Sequence, residues 1–511
     1  MYIALVTTGD DARNDTKKPS HLYNRWQLHI TAATGSEHYD KHRTEPCPGL
    51  IAMNHKSTGS DDMTAWPDFL ADIERPLQET MQGLDQTQWL SSTALQRGQQ
   101  IQLSRMLRWA AEQAPFYHHL KDLAGKLEQL ESSPKMFREL WHALPILTKQ
   151  ALRTSAKELH ARNLPETHQP VTPIRTSGST GIPVEVLTTP QTQSIWRALT
   201  LREHLWHERD CSGRLGVIRY FTKEDRNPAG LSLASWGRPV SLLFNTGPAS
   251  AIHIGYPVDV LAKWLTRFDP HYLLAYPSIV GPLMDEMSAG NARPAALKEI
   301  RFISEPLDKS LVQRLADEWQ LSSADIYTCN EVGNIAFQCR EQGNLHIQSE
   351  ALLVEILDEQ GRPCETGQTG RVVVTTLHNF AMPLLRYELG DYATVGAPCP
   401  CGRGLPVIKQ VLGRVRNLVQ TPQGKRYWPT ALGKIRAITP IQQAQYVQTG
   451  LDTIELRVRL ERTLSEAERQ AAIKCVQDAL QYRFHVKITA VENIERGPTG
   501  KYEEFLSMLA G

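Results

Sequence analysis

The chain has 511 residues, with 56 lysines and arginines against 55 acidic residues, 41% hydrophobic and 22% charged residues. The net charge of +1 gives no support to a nucleic-acid or anionic-membrane surface, and no apolar run approaches the roughly 20 residues needed to span a bilayer. The length suggests about two to four domains, and the opening MYIALVTTGDDARND has no basic leader and early acidic residues, so the expected location is cytoplasmic.

Residues 1–65 are polar, carry scattered histidines and glycines (TGSEHYDKHRTEPCPG), and show no sustained periodicity, so they read as a loosely attached extension. From Trp66 helical patterns dominate. TALQRGQQIQLSRMLRWAAEQAPFY sets Leu95, Ile101, Leu103, Met106, Leu107 and Ala110 on one helical stripe, and LPILTKQALR follows. RTSGSTGIPVEV then packs glycines, hydroxyl residues and a proline ahead of Val184 and Val186, which alternate as in a strand. Thr189-Pro190 supplies a helix start, since proline is tolerated at the first helical position.

Short apolar runs (LGVIRYF, YLLAYP, KEIRFIS) next alternate with helical segments such as KSLVQRLADEWQ, which argues for α/β architecture. Between 350 and 395 strands take over, in ALLVEILDEQGRP, TGRVVVTTL and DYATVG. The last hundred residues read as a small α+β unit. AQYVQT and IELRVRLE are strands, Ser465 and Glu468 form a capping box, and Ile473, Val476, Leu480 and Phe484 make the stripe of the following helix before the strand HVKITAV. The expected division is 1–65, a large domain over 66–412 and a small domain over 413–511.

Glycines let a backbone come close to a ligand, and consecutive N–H groups in such a turn form a concave anion site. Phosphate is the natural guest of the loop at 175–183. A Walker A loop is excluded, because Gly181 is followed by Ile182 and Pro183 and not by lysine. The plain alternative is a bare turn joining two strands. Downstream, IYTCNEVGN sets Tyr327 four residues before Glu331, MPLLRYELGDYATV holds Arg386 and Asp391, LGRVRNLV holds Arg414, and RGPTGKYEEF offers Lys501. Singly, each is what a turn or a solvated face also provides.

Taken in order, these segments resemble the adenylate-forming enzymes: acyl-CoA synthetases, peptide-synthetase adenylation domains and luciferases. APFYHHL, LPILTKQALR, RTSGSTGIP, AMPLLRYELGD and CPCGRGLP are similar to the phenylacetate–coenzyme A ligase branch, over roughly residues 66–511. The resemblance implies a two-step reaction: ATP and a carboxylate give an acyl-adenylate and pyrophosphate, and a nucleophile then displaces AMP. It implies that Thr176, Ser177, Gly178, Ser179, Thr180 and Gly181 grip the β- and γ-phosphates, that Glu331 holds Mg²⁺, and that Tyr327 lies against the adenine beside Ser304, Glu305 and Pro306. Asp391 would accept from the ribose hydroxyls with Arg386 and Arg414 nearby, and Lys501, on a mobile small domain, would bridge carboxylate and α-phosphate. Tyr220, Phe221, Trp236, Phe244, Tyr276 and Pro277 are candidates for the acid pocket, whose aromatic character suits an aryl or cyclic acid; core packing is the competing use of such residues.

Cys339, His346, Cys399 and Cys401 offer three thiols and an imidazole, a set that suits structural Zn²⁺ although the spacing is no standard finger; buried cysteines and a surface histidine are the alternative. The pattern departs from the family where Asn330 replaces the usual threonine before Glu331, where Arg416 and Asn417 replace acidic hinge residues, and in QTPQGKRYWPTALG, which lacks a glycine-asparagine-valine pattern. The expected acceptor is CoA, with an amine or a carrier-protein thiol as the alternative. A catalytically idle binding module is the reading from a different class.

Overall fold

The computed structural model describes residue 66 and residues 77–129, 133–175, 184–221, 227–290, 293–429, 432–438, 440–497 and 500–509. The extension read over 1–65 and the phosphate loop, with Thr176, Ser177, Gly178, Ser179, Thr180 and Gly181, lie outside the described residues.

The first long periodic segment is the helix Ser92–Gln113, opened by Ser91, whose hydroxyl accepts the Ala94 N–H at 3.1 Å. Its apolar stripe buries Leu95, Leu103, Met106, Leu107 and Ala110, with Ile101 at the margin. The strands Thr172–Arg175 and Glu185–Thr188, which flank the glycine-serine loop in the sequence, pair antiparallel. Thr189 caps the helix Pro190–Trp206 through the Thr192 N–H.

The short apolar runs become five parallel strands of a 12-stranded mixed sheet: Ala249–His253, Leu215–Arg219, Tyr272–Ala275, Glu299–Ile303 and Ser322–Cys329, in that spatial order. Tyr272–Ala275 is buried at every position and reads as a continuous apolar run, whereas Glu299–Ile303, equally buried, carries two charged residues whose ion pairs keep them inside, Glu299 with Arg209 and Arg301 with Glu203. From Ser322–Cys329 the sheet continues antiparallel through Gly333–Gln338, Leu345–Ile347, Val407–Arg414, Tyr387–Val395, Thr369–Thr376 and Leu352–Leu357.

A separate four-stranded sheet, ordered His485–Ala490, Thr453–Leu460, Ile441–Gly450 and Phe505–Ser507, packs on the helix Glu466–Ala479. It has its own apolar core of Tyr446, Ile454, Leu456, Val458, Val476 and Leu480. Both halves of the capping box form: Glu468 N–H donates to Ser465 Oγ, and Ser465 N–H to the Glu468 carboxylate. Phe484 joins this core from beyond the helix end, because the chain leaves the helix at Leu480. Among the described residues, no helix is long and apolar enough to cross a membrane.

The parallel strands decide where chemistry can gather. All five end at one edge of the sheet, and in such sheets ligands bind outside the carboxyl ends of the strands. The segments leaving that edge carry Tyr220 and Phe221, Ile254, Tyr276 and Pro277, Ser304 to Pro306, and Asn330 with Glu331.

Candidate active site

Tyr327, near the end of its strand, is buried, and its hydroxyl donates to Asp391 Oδ2 at 2.9 Å. Asp391, on the strand Tyr387–Val395, takes Arg414 Nε on its other oxygen at 3.3 Å. Burial, reinforced by the Asp391 carboxylate, pushes the Tyr327 phenol well above its usual range, so it stays a hydrogen-bond donor. Arg414 is held charged by Asp391 and Glu331 against the cost of its burial.

Glu331 follows in the turn after the strand, buried, with Lys149 Nζ 3.5 Å from Oε1; Asn330 beside it is exposed. Lys149 opens the helix Lys149–Thr154, whose cap is Thr148. Lys501 reaches the same place from the C-terminal segment. Burial and then the Arg414 guanidinium lower its ammonium below the usual lysine value, opposed by Asp391, Glu305 and Glu331. Three cations, Lys149, Arg414 and Lys501, and three carboxylates, Glu305, Glu331 and Asp391, thus gather on the carboxyl edge. Pro306 approaches Gly413 from the neighbouring loop, and Ser304 turns the chain with φ +73°.

The aromatic candidates divide by sheet edge. Tyr220 and Phe221 lie at the carboxyl edge, each 5.2 Å from the His253 ring, and Tyr276 and Pro277 leave the same edge. Trp236 and Phe244 belong to the loop that enters Ala249–His253, at the opposite edge. Trp236 is core: its indole donates to the Gly213 carbonyl at 2.7 Å and packs on Tyr272, the first residue of its strand. Trp236, committed to these core contacts, does not line a pocket at the carboxyl edge, and Phe244, partly buried against the core, belongs to the same loop.

Arg386 is also not a ligand-facing group. Its guanidinium is 2% exposed, pairs with both Glu355 oxygens at 3.1 and 3.0 Å, and donates Nη1 to the carbonyls of His142 and Leu144 at 2.7 and 2.6 Å. Its donors are consumed by protein, so its role is structural. Sequence reasoning missed Lys149, His253 and Arg496 at the site. Lys149 had a signal, its place in LPILTKQALR; His253 and Arg496 had none, since only the topology brings them to this edge.

Scanning against protein-family models finds no match. Among curated proteins, the chain is 26% identical over 397 residues to a phenylacetate–coenzyme A ligase of Thermus thermophilus, covering 73% of this chain and 80% of that one. It is 25% identical over 411 residues to a phenylacetate–coenzyme A ligase of Escherichia coli, covering 77% and 89%. Among solved structures, a 2-hydroxyisobutyryl-CoA ligase in complex with R3-HIB-AMP superposes with a TM-score of 0.63 at 19% identity, over 83% of this chain and 92% of that one. The chain is similar to phenylacetate–coenzyme A ligases and shares the fold of a 2-hydroxyisobutyryl-CoA ligase.

Cys339, His346, Cys399 and Cys401 are all buried, and their donor atoms lie within 4.8 Å of one another. They come from the end of Gly333–Gln338, from Leu345–Ile347 and from the loop before Val407–Arg414. Cys401 Sγ is 3.3 Å from His346 Nε2, while His346 Nδ1 faces the Leu405 carbonyl at 3.3 Å. A backbone carbonyl on the far ring nitrogen orients the near one toward a metal. The S₃N donor set matches tetrahedral Zn²⁺. The cluster closes the far end of the strand that begins beside Glu331, roughly 20 Å away for a six-residue strand.

Removing one partner of a fully buried pair leaves the other charge uncompensated. Arg386→Ala is therefore expected to lower stability by about 3–5 kcal/mol, read from denaturant midpoints. A variant that unfolds like the parent while losing only ATP affinity would return Arg386 to the site.

Proposed function

We propose that this protein is an AMP-forming acid–CoA ligase that activates an aryl or cyclic carboxylic acid. The observation that carries the reading is the convergence of Tyr327, Glu331, Asp391, Arg414 and Lys501 on the carboxyl edge of the parallel strands. A carboxylate oxygen of the acid attacks the α-phosphorus of ATP, and pyrophosphate leaves; the CoA sulfur then attacks the acyl carbon, and AMP leaves. The first step brings anions together, so cations fixed before the reaction lower its barrier most. Lys501 would bridge the acid and the α-phosphate, and Asp391 would accept from the ribose hydroxyls while Tyr327 and Arg414 fix its orientation. Glu331 would hold Mg²⁺, which neutralises phosphate oxygens when bound.

In this reading the loop residues Thr176 to Gly181 would take the β- and γ-phosphates. Residues 413–511 would be the lid that carries Lys501 in and out. Asn417 supports a hinge at its start: the side chain accepts the Arg414 N–H at 3.1 Å and donates to the Phe505 carbonyl at 2.7 Å, tying the hinge to the last strand. Arg416 pairs with Glu503 in the same place. Tyr220, Phe221, His253 and Tyr276 would wall the acid pocket, and their apolar faces favour a flat or cyclic acyl group.

Pyrophosphate exchange into ATP across aryl, cyclic and fatty acids tests the first step, with CoA added in a second stage. Exchange with one acid class and CoA-dependent thioester formation are expected. Exchange that proceeds to product only with an amine or a carrier-protein thiol would replace the CoA acceptor. ATP binding without exchange for any acid would leave an idle binding module. Lys501→Ala should lower exchange on the order of a hundredfold or more, while undiminished exchange would remove Lys501 from this role.

The Cys339, His346, Cys399 and Cys401 set would hold structural Zn²⁺, since its four protein donors leave no open position. Elemental analysis of protein purified without chelators should find about one zinc per chain. Cys401→Ser should lose the metal and melt at lower temperature; metal-free protein of unchanged stability would refute the site.

A further inference from the structure

We propose that Glu305 is a positioning residue that holds the Lys501 segment over the reaction centre, an inference resting on the adenylation reading above. The resemblance set Glu305 beside the adenine, but its carboxylate is committed elsewhere. One oxygen accepts the Ser278 N–H at 3.0 Å, and the other accepts the Tyr502 N–H at 2.6 Å, the residue next to Lys501. Arg496 Nη1 stands 3.7 Å from that second oxygen, and the Glu305 side chain is 5% exposed.

Arg496 closes the arrangement. The same Nη1 donates to Ser278 Oγ at 2.9 Å and to the Gly500 carbonyl at 3.0 Å, and the guanidinium lies 5.5 Å from the Tyr502 ring centroid. Within the turn, Gly500 N–H bonds to the Gly497 carbonyl at 2.8 Å and Gly497 N–H to the Lys501 carbonyl at 2.9 Å. Gly500, at φ +75°, brings the turn so close to the sheet edge that an added Cβ would sit 2.7 Å from Tyr220 Cβ.

The physical logic is mutual. A carboxylate this buried tends to protonate, and Arg496 with the two N–H groups opposes that. Glu305 is therefore best satisfied when the C-terminal segment is docked. Ser304, at φ +73°, turns the chain at the end of Glu299–Ile303 just before the carboxylate. Lys501 is thereby flanked by a hydrogen-bonded carbonyl on one side and a hydrogen-bonded N–H on the other. A loop so clamped presents its ammonium at a fixed distance from the carboxyl edge, and displacement of a reacting group by about 1 Å can cost a hundredfold in rate.

Two measurements on Glu305→Ala test this. In pyrophosphate exchange, kcat should fall on the order of tenfold to a hundredfold, with the KM for ATP within about twofold of the parent. Combined with Lys501→Ala, it should add no further loss, because both variants remove one contribution. A raised KM for ATP at unchanged kcat, or fully additive losses, would overturn the proposal and return Glu305 to the nucleotide.

Hydrogen exchange of a peptide spanning 496–509 supplies a readout that needs no substrate: protection at Tyr502 should be lost in Glu305→Ala and kept in Lys501→Ala. Retained protection in Glu305→Ala overturns the clamp. If the parent protein adenylates no acid, the functional reading fails on its own, and loss of protection still supports the clamp. Should Glu305→Ala not fold, Arg496→Ala cuts the arrangement from the other side and carries the same two readouts.

Discussion

The buried guanidinium of Arg386 ties together segments that the chain brings from far apart. It pairs with Glu355 on the strand Leu352–Leu357 and donates Nη1 to the carbonyls of His142 and Leu144. Its own backbone, at φ +47°, takes Thr375 Oγ1 at the N–H and the Leu147 N–H at the carbonyl. These bonds seat the segment 142–148 against the strand Tyr387–Val395, and the next residue is Lys149, facing Glu331. A charge this deep is tolerable only when fully paired. The pairing in turn holds Lys149, a lysine of the carboxyl edge, in register with the sheet.

From that anchored frame the carboxyl edge gains its electrostatic character. Carboxylates from three elements, Glu305, Glu331 and Asp391, meet Lys149, Arg414, Arg496 and Lys501 in a partly buried space. Opposite charges held apart from bulk water interact more strongly than they would on the surface. The Lys501 ammonium is lowered by burial and then by Arg414, against the three carboxylates, so an anion placed beside it would offset that cost. Burial and the Asp391 carboxylate together keep Tyr327 protonated, so that its hydroxyl donates to Asp391.

The cysteine–histidine cluster serves a different end of the same antiparallel strands. Cys339 and Glu331 flank one strand, so pinning one end limits how far the other can drift. Its donors come from three separate stretches, and a linear spacing that looks irregular becomes a compact tetrad only when Leu345–Ile347 pairs with Val407–Arg414.

Periodicity and capping chemistry are local, and they were legible in the residues themselves: the Ser92–Gln113 stripe, the apolar run of Tyr272–Ala275, and the Ser465–Glu468 box all follow from spacing. The order of motifs likewise pointed to the adenylate-forming fold. What no local pattern carries is direction. An arginine beside a motif aspartate reads as a ligand, yet Arg386 faces inward because Glu355 lies behind it; Trp236 reads as a pocket wall, yet its loop enters the sheet at the other edge. Side-chain direction depends on which strands become neighbours and which edge they share. That was decided by tertiary structure, and it alone put Glu305, Arg496 and Lys501, nearly 200 residues apart in the chain by the numbering of the first and last, into one site.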